Sequence, residues 1–166
     1  MIMTSQTIKF RLNGEEVVAD VEDRFHAIDF LRQAFELSSP RVGCEHGVCG
    51  ACSIRVNNRI IRGCLILGAQ LDGCTVETVE GLTSSGEVAD LQLAFHERNA
   101  MQCGFCTSGM LMASQELLCS AGVCSRAAIR EHLSGNYCRC TGYEAIVDAV
   151  EKVARSRGLK FAQEDL

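Results

Sequence analysis

The chain has 166 residues, 47% of them hydrophobic, and a formal net charge of −5. That is enough apolar material for one domain or two small ones. The stretches on either side of Gly81 are both mildly acidic and no basic stripe occurs, which argues against nucleic acid as a partner.

From the N-terminus, Ile8, Phe10 and Leu12 alternate with Lys9 and Arg11, Asn13-Gly14 offers turn chemistry, and Val17 to Val21 returns. This reads as a β-hairpin. Ile28, Leu31 and Phe35 then recur at helical spacing, predicting a helix over His26 to Glu36. Pro40, the single proline, marks the entry to a cysteine-rich loop. Ser53–Val56 and Arg59–Cys64 read as strands joined at Asn57-Asn58, with a last strand near Thr75–Val79. Hairpin, helix, loop, hairpin and strand is the order of a β-grasp plant-type ferredoxin, expected over residues 1–80.

Gly81 to Gly86 is rich in small residues and opens a predicted linker over 81–90. Beyond it the hydrophobic period changes to about 3.6, predicting helices at 88–100, 104–121, 126–134 and 142–156. Ser125 is a candidate cap for the third. Thr141-Gly142-Tyr143-Glu144 has the form of a capping box for the fourth, whose buried stripe would be Ile146, Ala149, Val150 and Val153. A four-helix bundle over 91–166 is expected, with Phe161 to Leu166 frayed. The fold class is therefore α+β.

No apolar run approaches the length of a membrane span, and Met1 to Phe10 lacks the pattern of a secretory signal, so a cytoplasmic location is expected. A reducing compartment turns eleven cysteines towards metal rather than disulfides, and their odd number fits a fully paired framework poorly. Gly43-Cys44-Glu45-His46-Gly47-Val48-Cys49-Gly50-Ala51-Cys52 has the C-x4-C-x2-C spacing of plant-type 2Fe–2S ligation, and Cys64 supplies a fourth thiolate from a neighbouring strand. Curling a loop so tightly needs torsions that Gly43, Gly47 and Gly50 tolerate. A second set, Cys103 and Cys106 with Cys138 and Cys140, falls at two helix entries, where free N–H groups favour thiolates. Taken alone, this second set suits structural zinc as well as iron–sulfur. Beside a plant-type cluster, a second redox centre is the stronger reading.

Those two motifs, with Gln102-Cys103-Gly104-Phe105-Cys106-Thr107-Ser108-Gly109-Met110 and Gly135-Asn136-Tyr137-Cys138-Arg139-Cys140-Thr141-Gly142-Tyr143, resemble the small iron–sulfur subunit of the xanthine oxidase family of molybdenum hydroxylases. The likeness runs from about Thr7 to Val153. It implies two 2Fe–2S clusters, one on Cys44, Cys49, Cys52 and Cys64, the other on Cys103, Cys106, Cys138 and Cys140. It implies a medium FAD subunit and a large subunit with a molybdopterin-type molybdenum cofactor, assembled as a dimer of heterotrimers. Electrons would pass from molybdenum through the second cluster and then the first to flavin. Gln102 would hydrogen-bond the pterin, Cys140 would be the ligand nearest it, and the Cys44 to Cys52 loop would face the flavin. The family usually has proline where this chain has Ser108, and serine there can donate a hydrogen bond instead.

Outside the motifs, Cys74, Cys119 and Cys124 read as free buried thiols. His46 reads as a loop residue, and His26, His96 and His132 as surface or capping side chains. Met101, Met110 and Met112 suit core or interface. Arg139 would pair with a partner carboxylate or offset cluster charge. Two rival functions stand beside electron transfer within a complex: a free-standing ferredoxin-like carrier with a zinc-stapled appendix, and an iron–sulfur redox sensor.

Overall fold

A computed structural model describes residues 4–162. Strands β1 (Ser5–Leu12) and β2 (Glu15–Glu22) form an antiparallel hairpin with Leu12 opposite Glu15. Asn13 and Gly14 at its turn both take positive φ, 50° and 93°. A two-residue turn of that kind matches the twist of the strands it joins. The device recurs between β3 (Ser53–Val56) and β4 (Arg59–Arg62), where Asn57 and Asn58 have φ of 49° and 65°. Strand β5 (Thr75–Glu77) inserts between the hairpins, parallel to β1 and antiparallel to β3. The sheet order is β2-β1-β5-β3-β4. Helix α1 (Ala27–Ala34) covers it, burying Ile28, Phe30 and Leu31 against Ile8, Phe10, Ile54 and Val76. Edge-to-face packing of Phe35 on Phe10 and on Phe30 closes this core.

The segment expected to be a linker is structured. Val79–Ser84 is a short helix, α2, so the last strand ends at Glu77 rather than Val79. Val79, Leu82 and Val88 are buried in the core of the helical half. The Glu80 carboxylate accepts hydrogen bonds from the amides of Ser38 and Ser39, 3.0 and 2.7 Å, and so holds the chain just ahead of the first cysteine loop. A run of Gly, Thr and Ser looked loose because α2 is under two turns long and takes its stability from these contacts.

Helices α3 (Ala89–Glu97), α4 (Thr107–Ser120), α5 (Arg126–Leu133) and α6 (Glu144–Ser156) follow. The first packs on α6, while α5 lies against α4 and α6. Their core holds Leu91, Phe95, Met110, Met112, Ile129, Leu133, Ile146 and Val150. Helix α4 also lies against β3 and β4 and joins the two halves. Ser125 caps α5, its hydroxyl accepting from the Ala128 amide at 3.0 Å. The capping box expected at α6 does not form. Tyr143 precedes the helix in the left-handed region, φ 69°, and the Thr141 hydroxyl accepts from the Tyr143 amide at 3.2 Å, two residues on, while donating to the Cys138 sulfur at 3.1 Å. Phe161 is not frayed: Lys160–Phe161 pairs in parallel with Val123–Cys124, and the Arg155 guanidinium sits 4.0 Å over the Phe161 ring. The remainder of that expected fray, 163–166, lies outside the described residues. Among the described residues no helix is long and apolar enough to cross a membrane.

Candidate metal centres

The first motif forms an irregular loop between α1 and β3, with Cys64 just beyond β4. Two glycines in it have positive φ, Gly47 at 84° and Gly50 at 73°. Gly43 serves differently, since a Cβ there would stand 3.0 Å from the Cys49 sulfur. The thiols fall into two pairs. The Cys49 amide donates to the Cys44 sulfur at 3.4 Å, and those two side chains interact. Cys52 and Cys64, both buried, lie against one another.

The second set divides in the same way. The Cys140 and Cys103 sulfurs are 3.6 Å apart, and Cys106 meets Cys138. Gln102 ties the two segments, donating from Nε2 to the Cys140 carbonyl at 2.9 Å. The Thr141 amide and hydroxyl both point at the Cys138 sulfur, 3.4 and 3.1 Å. The Tyr143 hydroxyl accepts from the Cys138 amide at 2.8 Å.

This donor set can be tested against the group it resembles. A 2Fe–2S core is a rhomb in which each iron takes two thiolates, so four sulfurs should gather as two adjacent pairs. A tetrahedral zinc site needs all four around one point. The thiols gather two by two in both places, Cys44 with Cys49 and Cys52 with Cys64, then Cys103 with Cys140 and Cys106 with Cys138. The residues therefore fit two di-iron cores better than a zinc staple.

Electrostatics differ between Cys44 and Cys49 and between Cys106 and Cys138. Hydrogen bonds from the Cys49 and His46 amides bring the Cys44 thiol down to about 6. Burial pushes Cys52 up to about 12. It also pushes Cys106, which precedes the first residue of α4, to about 12, so desolvation there outweighs the helix terminus expected to favour the thiolate. Burial acts on Cys138 too, but the Thr141 hydroxyl and amide more than offset it and leave that thiol below its usual value. Contact with Cys103 raises Cys140.

The two sets meet at a junction that sequence spacing does not reveal. The Tyr137 amide, adjacent to Cys138, donates to the Cys49 carbonyl at 2.8 Å. Asn136, 2% exposed, wedges between Gly50 and Gly109. Its amide faces the Gly50 carbonyl at 3.4 Å, and a Cβ on Gly50 would lie 2.6 Å from its Cγ. The one hint in the sequence was glycine at both 50 and 109.

Two expectations change. Of the thiols outside the motifs only Cys124 is buried; Cys74 is half-buried and Cys119 exposed. Among the described residues the Ser108 hydroxyl is buried without a hydrogen-bond partner, so it does not make the bond that could replace the usual proline. His26, exposed and directly ahead of α1 without capping it, is a surface side chain as expected.

Residues 78–151 match a family model described as a 2Fe–2S binding domain. The gamma subunit of caffeine dehydrogenase from Pseudomonas sp. (strain CBB1) is 41% identical over 98% of this chain and 99% of its own. The small subunit of nicotine 6-hydroxylase from Paenarthrobacter nicotinovorans is 46% identical over 86% of each chain. A chain in the crystal structure of quinoline 2-oxidoreductase from Pseudomonas putida 86 superposes with a TM-score of 0.84 at 44% identity, covering 93% of this chain and 98% of that one. With this coverage and both thiol sets in place, the chain belongs to the iron–sulfur small subunits of the molybdenum hydroxylases.

Proposed function

We propose that this chain is the electron relay of a multi-subunit molybdenum hydroxylase, with Cys44, Cys49, Cys52 and Cys64 holding one 2Fe–2S cluster and Cys103, Cys106, Cys138 and Cys140 the other. When bound, each cluster accepts and releases one electron, so a two-electron oxidation on a large molybdopterin subunit is handed on singly to FAD on a medium subunit. The chain itself spaces the two centres, excludes water from Cys52 and Cys64, and supplies amide donors to the sulfurs. The observation that carries this reading is the junction. One hydrogen bond, Tyr137 N–H to Cys49 O, links the peptide beside a second-set cysteine to a first-set cysteine.

In this reading the sheet half is a β-grasp ferredoxin module and α3 to α6 a four-helix bundle, with residues 78–90 as packed connector. Gln102 and the exposed Cys140 face the pterin, and the first loop faces the flavin. The complex is a cytoplasmic dimer of heterotrimers. Relatives named for caffeine, nicotine and quinoline favour an N-heteroaromatic substrate, bound on the large subunit. Copurification should return stoichiometric flavin and molybdenum subunits, with four irons and four sulfides per small chain. Replacing Cys49 by Ser should delete one EPR signal of the dithionite-reduced complex. Replacing Cys106 by Ser should delete the other and stop reduction of flavin by substrate. If either change abolishes both signals in a folded complex, the two-site assignment fails.

A further inference from the structure

Three half-buried arginines of this fold hold carboxylates: Arg55 pairs with Glu77 and Glu87, Arg126 with Asp148 and Glu151, and Arg157 with Asp90. Arg32 lacks a carboxylate, but it caps the Pro40 carbonyl at 2.6 Å and touches neither thiol set's junction. Arg62 is different. Its Nη2 donates to the Gly135 carbonyl at 2.7 Å and to Asn136 Oδ1 at 3.1 Å, and its Nη1 to the Ser53 hydroxyl. That hydroxyl donates onward to the Gly50 carbonyl at 2.7 Å. Every acceptor is neutral, and among the described residues no carboxylate lies in ion-pair reach of Arg62.

A half-buried cation without a counter-charge is costly unless an anion completes it. The position of Arg62 names the anion. It stands two residues before Cys64, contacts the residue after Cys52, and reaches the peptide leading to Cys138. Two ferric ions, two sulfides and four thiolates sum to a dianion, and each reduction adds a further negative charge. We infer that Arg62 is the counter-cation shared by both clusters, raising both reduction potentials while its guanidinium fork clamps the junction between them. A fixed positive charge favours the more negative, reduced form of either neighbour, and partial burial keeps that effect from being screened. Arg139, although it lies between two ligands, is exposed to solvent and so is poorly placed for the same task.

The inference rests on the two-cluster reading, and potentiometric EPR titration of the purified complex separates the two. A wild-type complex without two distinct reduced signals overturns the reading. With both signals present, Arg62→Gln should move both midpoints to more negative potential, whereas Arg62→Lys should keep them near wild type while weakening the spin–spin splitting between clusters. Unchanged midpoints in Arg62→Gln, or equal shifts in the Gln and Lys variants, overturn the role of the charge. Should Arg62→Gln fail to assemble, Asn136→Asp decides by placing a carboxylate against the guanidinium. It should lower both midpoints, and unchanged midpoints there overturn the inference.

Discussion

At the scale of single residues, the eight thiols are not equivalent before any metal arrives. Amide hydrogen bonds hold Cys44 near 6, so at neutral pH it is largely thiolate, the form that attacks electrophiles and binds metal. Burial holds Cys52 and Cys106 near 12, so both stay protonated. Brief alkylation of the cluster-free chain at pH 7 should therefore label Cys44 first, with a midpoint near pH 6, and leave Cys52 and Cys106 unlabelled until the chain unfolds. Mass spectrometry of the tryptic peptides reads this directly. Equal labelling of Cys44 and Cys52 in the folded chain would show that the loop geometry does not set thiol reactivity. Because the depressed Cys44 value favours the folded chain only where the thiol is ionised, its stabilisation of the cluster-free fold is full above the ordinary thiol value of 9.0. It is lost as pH falls through 6.

At the scale of elements, a polar seam fastens the sheet to the helices. Arg55 on β3 forks onto Glu87 at 2.6 and 2.8 Å and reaches Glu77 on β5 at 2.7 Å. Gln115 on α4 donates to Glu87 at 3.0 Å and accepts from Arg157 at 3.0 Å, and Arg157 holds Asp90 at 2.7 and 2.8 Å. The Arg55 side chain is 17% exposed, so truncating it strands partly dehydrated carboxylates. Arg55→Ala should cost roughly 1–3 kcal/mol in urea unfolding. The guanidiniums of Arg55 and Arg157 hold Glu87 and Asp90 below their usual values, so their contribution is present above about pH 4.5 and disappears as pH falls through the depressed values. The wild type should therefore lose stability on acidification, and the variant should lose less. None of this seam was readable in the chain, because its partners lie 22 to 67 positions apart. What could be read were features set by near neighbours: both Asn-containing hairpin turns, the α1 stripe, and the Ser125 cap. The cysteine spacing was legible for the same reason, since three ligands must come from one loop. Helix α2 was not, because Glu80 and Leu82 acquire their partners only in three dimensions. The Thr141 pattern failed because the left-handed turn at Tyr143 gives the Thr141 hydroxyl the amide two residues on, at 3.2 Å, instead of the one three residues on.

At the scale of the whole molecule, the two halves are set against each other so closely that backbone meets backbone, and Gly109 permits it. That glycine lies in the first turn of α4, where a built Cβ would collide with the Gly50 carbonyl of the first cysteine loop and stand 3.1 Å from Asn136 Nδ2. Helix propensity alone makes Gly109→Ala favourable by up to about 1 kcal/mol. The obstacle is backbone rather than a flexible side-chain tip, so it cannot step aside without moving α4 or the loop that bears Cys49 and Cys52. Overpacking of this kind costs roughly 1–3 kcal/mol, which exceeds the propensity gain and reverses the sign. The variant should therefore unfold at lower urea. Any relaxation must lengthen the Tyr137-to-Cys49 hydrogen bond, so the spin–spin splitting between the two reduced centres should shrink while both EPR signals persist. A control at Gly86, where a Cβ meets open space but φ is +78°, would suffer backbone strain alone. Loss of stability there with unchanged splitting would separate a general weakening of the fold from a specific opening of the junction. If Gly109→Ala proved as stable as the wild type with its splitting intact, the halves would not be held at the separation described, and the junction could not be what sets the distance an electron must cross.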